Sequence, residues 1–136
     1  MATASATIDI PASADQVWQL LGGFNTLPDW LPLITESTLS EGGRVRSLKT
    51  ADGGVVIERL QTFDNAARTY SYSIEQGPFP ATDYLATLKV EAQGQGARVT
   101  WSGRFTPNGV SEEEVVALFN GIYQGGLDAL RANYPA

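Results

Sequence analysis

A long run of alternating apolar and polar residues, from position 34 to 107, constrains the fold of this chain more than any other feature. A period of two is typical of β-strands that bury one face. Turn-forming residues interrupt the alternation at 41–43, 51–54, 64–67, 77–80 and 93–96. The region is therefore predicted to form six consecutive antiparallel strands joined by short connections.

Helical patterns lie on both sides of this region. Residues 7–10 alternate like a short strand, and a helix follows, opened by a capping box of Ser13 and Gln16. The last segment, about 111–133, is an amphipathic helix that we expect to end at Pro135. Its apolar face consists of Val115, Leu118, Phe119, Ile122, Ala129 and Leu130. A long helix with one apolar face must cover a sheet, so the order β-α-(β)6-α predicts an α+β fold with an antiparallel sheet curved around the C-terminal helix.

The composition excludes several classes of function. The 136 residues contain no His and no Cys, which rules out disulfides, Cys or His metal sites and Ser-His-Asp or Cys-His catalysis. A net charge of −6 makes nucleic acid a poor partner. No stretch approaches the about 20 apolar residues of a membrane span, and positions 1–6 do not resemble a secretory signal. We therefore expect a cytoplasmic domain without metal, cofactor or integral membrane association.

Strand alternation also predicts which side chains point inward. They are Tyr70, Tyr72, Ile74, Tyr84, Ala86, Leu88, Val90, Val99, Trp101, Gly103 and Phe105. The strand over 55–63 allows two registers, one with Glu58 inside and one with Arg59 inside, and each buries a charge. Gly125 and Gly126 within the last helix indicate a close approach, a kink or room for something else. Buried hydroxyls and charges need partners, which water and a ligand in a cavity would supply.

Several short segments carry a family resemblance. Residues 17–18, 27–30, 56–60, 99–102 and 126–130 together resemble the polyketide cyclase/dehydrase-type (SRPBCC) branch of the START-like, birch-pollen-allergen-like superfamily. The resemblance extends over nearly the whole chain and implies a helix-grip fold, one domain spanning 1–136 and a cavity between sheet and C-terminal helix. The superfamily includes lipid carriers, hormone receptors and cyclases, so it implies the fold more specifically than an activity.

The chain is also distantly similar to plant abscisic-acid receptors. Their Glu-Arg-Leu stretch matches residues 58–60, which favours the register with Glu58 inside, and their cavity tyrosine falls on Tyr84. Where those receptors place a lysine against the ligand carboxylate, this chain has Leu31, and their helix asparagine falls on Gly126. The similarity therefore favours an apolar or bulkier ligand over one with a carboxylate.

These observations predict binding of a small hydrophobic or amphipathic molecule, by a monomer or homodimer, with loops 53–54 and 78–80 at the entrance. The predicted ligand-binding residues are Trp30, Leu31, Arg46, Glu58, Leu60, Tyr70, Tyr72, Phe79, Tyr84, Ala86, Trp101, Phe119, Ile122 and Gly126. A cavity for such a ligand usually measures about 300–1,000 Å³.

Glu58 has three interpretations. It anchors the ligand, or it is the general acid/base of a polyketide cyclase or dehydratase in which a tyrosine donates a proton to a carbonyl oxygen. Alternatively, Glu58 is a structural carboxylate paired with Arg46 on the preceding strand. A third class of function is an interaction domain whose cavity is incidental.

Overall fold

The computed structural model describes residues 2–134. These residues form a β-meander with one additional strand and three helices. The elements, in chain order, are β1 (Ala2–Ile10), α1 (Ala14–Leu21), α2 (Leu27–Trp30), β2 (Ile34–Ser40), a 3-10 turn (Glu41–Gly43), β3 (Val45–Thr50), β4 (Val55–Asp64), β5 (Thr69–Gln76), β6 (Ala81–Gln93), β7 (Gly96–Pro107) and α3 (Glu112–Arg131). The predicted order and the α+β helix-grip fold are confirmed. The predicted helix stop at Pro135 lies outside the described residues.

The seven strands form one antiparallel sheet in the order β1-β7-β6-β5-β4-β3-β2. Strands β2 to β7 are sequential neighbours, as expected for short connections, and β1 pairs along β7 from Ala2↔Phe105 to Ile10↔Ala97. The curved sheet is covered by α3, which contacts β1 and β7. The core lies between this helix and the sheet.

Local signals in the sequence determine where the helices begin. The Ser13 hydroxyl accepts a hydrogen bond from the Gln16 N–H at 3.2 Å, and the Gln16 side chain accepts one from the Ser13 N–H at 3.0 Å. The predicted capping box is thus confirmed. Helix α3 begins in a related way, because the Ser111 hydroxyl accepts a hydrogen bond from the Glu114 N–H at 3.2 Å.

The inner face of the sheet follows the predicted alternation. Val99, Trp101 and Phe105 are buried, whereas Arg104 between them is exposed. Strand β4 takes the register that buries Glu58. The other charge of that strand, Arg59, points outward and is paired with two surface glutamates.

One residue assigned to the apolar face of α3 lies elsewhere. Leu118 is 38% exposed, so its assignment was wrong. The residues of α3 that face the sheet recur at spacings of three and four and are Val115, Phe119, Tyr123, Leu127 and Leu130. Leu118 lies about 100° around the helix from Phe119 and misses this stripe.

Candidate functional site

A buried ion pair joins two neighbouring strands of the sheet, β3 and β4. Arg46 on β3 and Glu58 on β4 are direct cross-strand partners, so their side chains leave the sheet on the same face. The Arg46 Nε–H donates to Glu58 Oε1 at 2.8 Å, and Nη2 lies 2.7 Å from the same oxygen. Arg46 is 1% exposed and Glu58 is 6% exposed. The pairing considered from the sequence is therefore present.

Aromatic rings surround the Arg46 guanidinium. Its central carbon lies 4.2 Å from the ring centroid of Phe24 and 4.9 Å from that of Tyr72, within the range of cation–π attraction. Its Nη1 donates to the Phe24 carbonyl at 2.9 Å and to the Tyr70 hydroxyl at 3.4 Å. Groups of the protein therefore accept most of the hydrogen bonds that this cation can donate.

Glu58 uses its two oxygens differently. Its hydrogen bonds and ion pair with described residues all involve Oε1, which leaves Oε2 free for the cavity that Glu58 lines. Burial raises the pKa of Glu58 above its ordinary value, and the neighbouring Arg46 charge opposes that rise. A carboxylate with one oxygen held and one free can accept a hydrogen bond from a guest molecule or a proton from a reacting one.

Phenol groups supply the remaining polar atoms of the site. The hydroxyls of Tyr84 and Tyr123 hydrogen-bond to each other, and the Trp101 indole N–H donates to the Tyr72 hydroxyl at 3.1 Å. The Trp101 and Tyr123 rings stack at 4.7 Å between centroids. Desolvation raises the pKa of Tyr72, Tyr84 and Tyr123, so all three phenols stay neutral donors at ordinary pH.

Of the three alternatives for Gly126, the close approach is the one present, and Gly103 on the sheet is covered in a similar way. A Cβ on Gly103 would collide with the Tyr123 hydroxyl, and a Cβ on Gly126 would lie 2.7 Å from the Trp101 ring and 2.9 Å from Leu31. Both glycines therefore permit close packing of aromatic or aliphatic groups. Gly125 faces open space.

The cavity between sheet and α3 measures about 40 Å³. Such a volume holds about three water molecules and is far below the expected about 300–1,000 Å³. The expected size is thus wrong for this structure, because the packed rings of Tyr72, Tyr84, Phe119 and Tyr123 fill the space. Eight predicted site residues line the cavity: Leu31, Glu58, Tyr72, Phe79, Tyr84, Trp101, Phe119 and Ile122.

Six predicted site residues do not line this cavity. They are Trp30, Arg46, Leu60, Tyr70, Ala86 and Gly126. Arg46 and Tyr70 lie behind Glu58, Leu60 pairs with Tyr72 across strands, and Ala86 is fully buried in the sheet. Trp30 packs edge-on against Trp101, with ring centroids 5.9 Å apart, and its buried indole N–H has no hydrogen-bond partner among the described residues.

Sequence reasoning missed part of the cavity wall. Tyr123 lies four residues after Phe119, so helical spacing alone would have placed it on the same face. The other unassigned lining residues are Leu27, Leu33, Ile34, Leu48, Thr50, Val56 and Ile74. Most of them are aliphatic and look like ordinary core residues in the sequence.

Two further depressions adjoin the cavity. A cleft of about 400 Å³ lies where β5 connects to β6, and the ring of Phe79 stands between it and the inner cavity. A groove of about 250 Å³ runs along α3 beside Leu31 and Leu33. Of the two predicted entrance loops, 78–80 contributes Phe79 to the cleft, whereas Gly53 and Gly54 line none of these three spaces.

Residues 2–134 hold no group of three or more His, Cys, Asp or Glu side chains suited to a metal ion. None of their helices combines the length and the apolar character that a bilayer-crossing helix needs.

A curved antiparallel sheet around a long C-terminal helix, with a partly polar cavity between them, defines a START-like (SRPBCC) domain. The family model described as "Polyketide cyclase / dehydrase and lipid transport" matches residues 1–134, and the chain belongs to this family. No protein of curated function matches the sequence.

Solved structures share this fold. The protein XoxI from Bacillus cereus is 51% identical with a TM-score of 0.97, covering 98% of this chain and 96% of its own. A putative uncharacterized protein from Bacillus thuringiensis is 50% identical with a TM-score of 0.96, covering 98% of each chain. A START superfamily protein from Mycobacterium smegmatis, 18% identical with a TM-score of 0.80, covers 96% of this chain and 95% of its own and shares the fold.

Proposed function

We propose that this protein binds a small hydrophobic or amphipathic molecule between the sheet and α3. The observation that carries the proposal is Oε2 of Glu58, which has no partner among the described residues and belongs to a buried residue that lines a mostly apolar cavity. Sites for small molecules are typically apolar with a few placed polar groups. The family description, which names both lipid transport and cyclase chemistry, supports the same class of function.

Binding requires side chains at the edge of the cavity to move. A space of about 40 Å³ admits no ligand of ordinary size, so the guest must displace protein atoms. Phe79 and Ile122 both line the cavity and are only half-buried, so they can move at lower cost than the buried rings. Ligand entry is therefore a conformational step as well as an association step.

The charges of the site favour a ligand that donates hydrogen bonds and carries no carboxylate at its inner end. Glu58 offers an acceptor, whereas Arg46 is bound to Glu58, Phe24 and Tyr70 and does not line the cavity. A carboxylate placed against Glu58 would meet a like charge without a free cation to compensate it. A hydroxyl or amine would find an acceptor.

The test is binding of a neutral fluorescent probe, N-phenyl-1-naphthylamine, to the wild type and two tryptophan variants. Ile122→Trp fills the cavity from its rim, and Leu118→Trp adds the same ring to an exposed position one turn away. We expect saturable binding to wild type and Leu118→Trp, and at least tenfold weaker binding to Ile122→Trp. Absence of saturable binding to the wild type, or equal binding to both variants, would contradict the proposal.

A second candidate is an enzyme of the cyclase or dehydratase type. It is favoured because the Glu58 carboxylate and several neutral phenols line one cavity. A carboxylate can act as the general base and a phenol as the proton donor of such a reaction. Glu58→Gln would then abolish turnover of a polyketide-like substrate while leaving its binding nearly intact. A pure binding protein would show weaker binding and no turnover to lose.

An interaction domain with an incidental cavity remains the third interpretation. It predicts no saturable binding of the probe, and the same titration therefore tests it. The cytoplasmic location and the monomeric or homodimeric state stay predictions from the sequence.

A further inference from the structure

The cleft outside the cavity has a wall that is polar and acidic. Its volume is about 400 Å³, and its polar lining includes Glu75, Gln76, Thr82, Asp83 and Asn108, without any Lys or Arg. Glu75 is paired with Arg59 at 2.6 Å, whereas the Asp83 carboxylate forms no ion pair with a described residue. Because Arg59 is shared between Glu75 and Glu41, the cleft presents a net negative charge.

A bulge in the sheet explains how Asp83 comes to face the cleft. The pairing of β6 with β7 shifts register between Thr82 and Leu85, and Asp83 has a left-handed backbone with φ of 53°. Because of this bulge, exposed Asp83 lines the cleft while the next residue, Tyr84, is buried in the core. Asn108, which also lines the cleft, donates its main-chain N–H to the Pro80 carbonyl at 2.9 Å.

The cleft and the inner cavity share a thin wall of side chains. Ile74, Phe79, Tyr84 and Phe119 line both spaces. Phe79 is half-buried, belongs to the connection between β5 and β6, and rests on Phe119 with ring centroids 5.4 Å apart. Phe79 is thus one of the four side chains that separate the acidic outer cleft from the cavity that Glu58 lines.

We propose that the cleft is the head-group site of the ligand, which enters past Phe79. The ligand then has two separated polar ends, a hydrogen-bond donor at Glu58 and a cationic or uncharged head beside Asp83, with an apolar body between them. An anionic head is excluded because it would meet the Asp83 charge without a counter-ion in the cleft lining. This inference rests on the proposed function and adds the chemical class of the outer end.

Three probes that differ only in the outer end test the inference. They are 8-amino-1-octanol, 1,8-octanediol and 8-hydroxyoctanoate, each measured by displacement of N-phenyl-1-naphthylamine. We expect the amino alcohol to bind most tightly and the hydroxy acid at least tenfold more weakly than the amino alcohol. Equal affinity of the hydroxy acid and the amino alcohol would overturn the inference.

Two variants then test whether Asp83 causes the difference in affinity between probes with different outer ends. Asp83→Asn, a change to a residue that tolerates the left-handed backbone, should bring the affinity for the amino alcohol within twofold of that for the diol. Glu91→Gln removes an exposed carboxylate on the same strand. It should leave the ratio of the affinities for the amino alcohol and the diol unchanged. An unchanged ratio in Asp83→Asn, or an equal loss in Glu91→Gln, would also overturn the inference.

The role of Phe79 has a kinetic test. Phe79→Ala removes the ring between the two spaces, so the association rates of the amino alcohol and the diol should rise at least threefold. Unchanged rates would reject entry past Phe79. If the diol and the fluorescent probe both fail to bind, the proposed function fails together with this inference; if they bind without head-group discrimination, this inference alone fails.

Discussion

At the scale of single residues, two cations of strand β3 each form an ion pair with a glutamate of a neighbouring strand. The two ion pairs differ sharply in environment. Arg46 and Glu58 are buried together, whereas Lys49 and Glu36 meet at 3.2 Å with both side chains more than 60% exposed. Removing one partner of a buried pair leaves an uncompensated charge away from water, which is costly. Removing one partner of an exposed pair leaves a charge that water solvates.

Replacement of each glutamate by glutamine should reveal this difference. Glu58→Gln should lower the free energy of unfolding by about 3 kcal/mol, because the Arg46 charge stays buried without its counter-ion. Glu36→Gln, the matched control, should change it by about 0.5 kcal/mol or less. Urea denaturation of both variants measures these values. Equal destabilisation of the two variants would show that burial does not set the strength of the Arg46–Glu58 pair.

At the scale of elements, α3 carries two adjacent glycines with opposite surroundings. Gly126 faces the sheet, and a Cβ there would lie 2.7 Å from Trp101 and 2.9 Å from Leu31. Gly125 faces solvent, with nothing within 4 Å of a Cβ. Alanine is a better helix former than glycine by about 1 kcal/mol at either position. The helix would therefore gain from both substitutions, but the sheet contact tolerates only one.

Alanine substitution at the two positions should change stability in opposite directions. Gly125→Ala should raise the free energy of unfolding by up to about 1 kcal/mol. Gly126→Ala should lower it by about 1–2 kcal/mol, since overpacking against Trp101 exceeds the gain in helix propensity. Chemical denaturation of the two variants is the measurement. Stabilisation by Gly126→Ala would mean that α3 does not approach the sheet this closely.

At the scale of the whole molecule, buried phenols link stability to pH. The chain has five tyrosines, and four of them are buried in the core between sheet and α3: Tyr70, Tyr72, Tyr84 and Tyr123. Desolvation raises the pKa of each above its ordinary value of about 10. A raised pKa in the folded state means that the folded protein holds these protons after the unfolded chain has released them.

Stability should therefore be unaffected by these groups below about pH 10 and should fall as pH rises above it. Because four phenols stay protonated only in the folded state, the free energy of unfolding should fall with a slope that approaches about 5 kcal/mol per pH unit. Above about pH 10 the tyrosinate absorbance of the native protein should lag behind that of the unfolded chain, and the four buried phenols should ionise together on unfolding. Gradual ionisation of all five without loss of the native circular dichroism would contradict the expectation.

Much of the architecture could be predicted from the sequence because it depends on local physics. The alternation over 34–107, the turn residues and the Ser13–Gln16 capping box each act over a few residues, and all three appear in the structure. Strand alternation also correctly placed Val99 and Trp101 on the buried face. The resemblance to abscisic-acid receptors resolved the register of β4 that alternation had left open.

The contents of the cavity depended on long-range packing instead. The sequence left open whether Gly126 marks a close approach, a kink or room for something else, and Trp101 and Leu31 from other elements make it a close approach. Arg46 faces inward with Glu58 but does not line the cavity. Its guanidinium instead donates to the carbonyl of Phe24, which is 22 residues away in sequence. No local pattern contains that information.

By itself the sequence determined the order of elements, the buried face of strands such as β7 and the absence of His and Cys chemistry, since each of these follows from residue identity and short-range periodicity. The tertiary structure alone decided that the aromatic side chains fill most of the interior, that Glu58 keeps one oxygen free and that Phe79 separates an acidic cleft from it. Space and charge inside a protein depend on which distant side chains meet there, and only the folded chain brings them together.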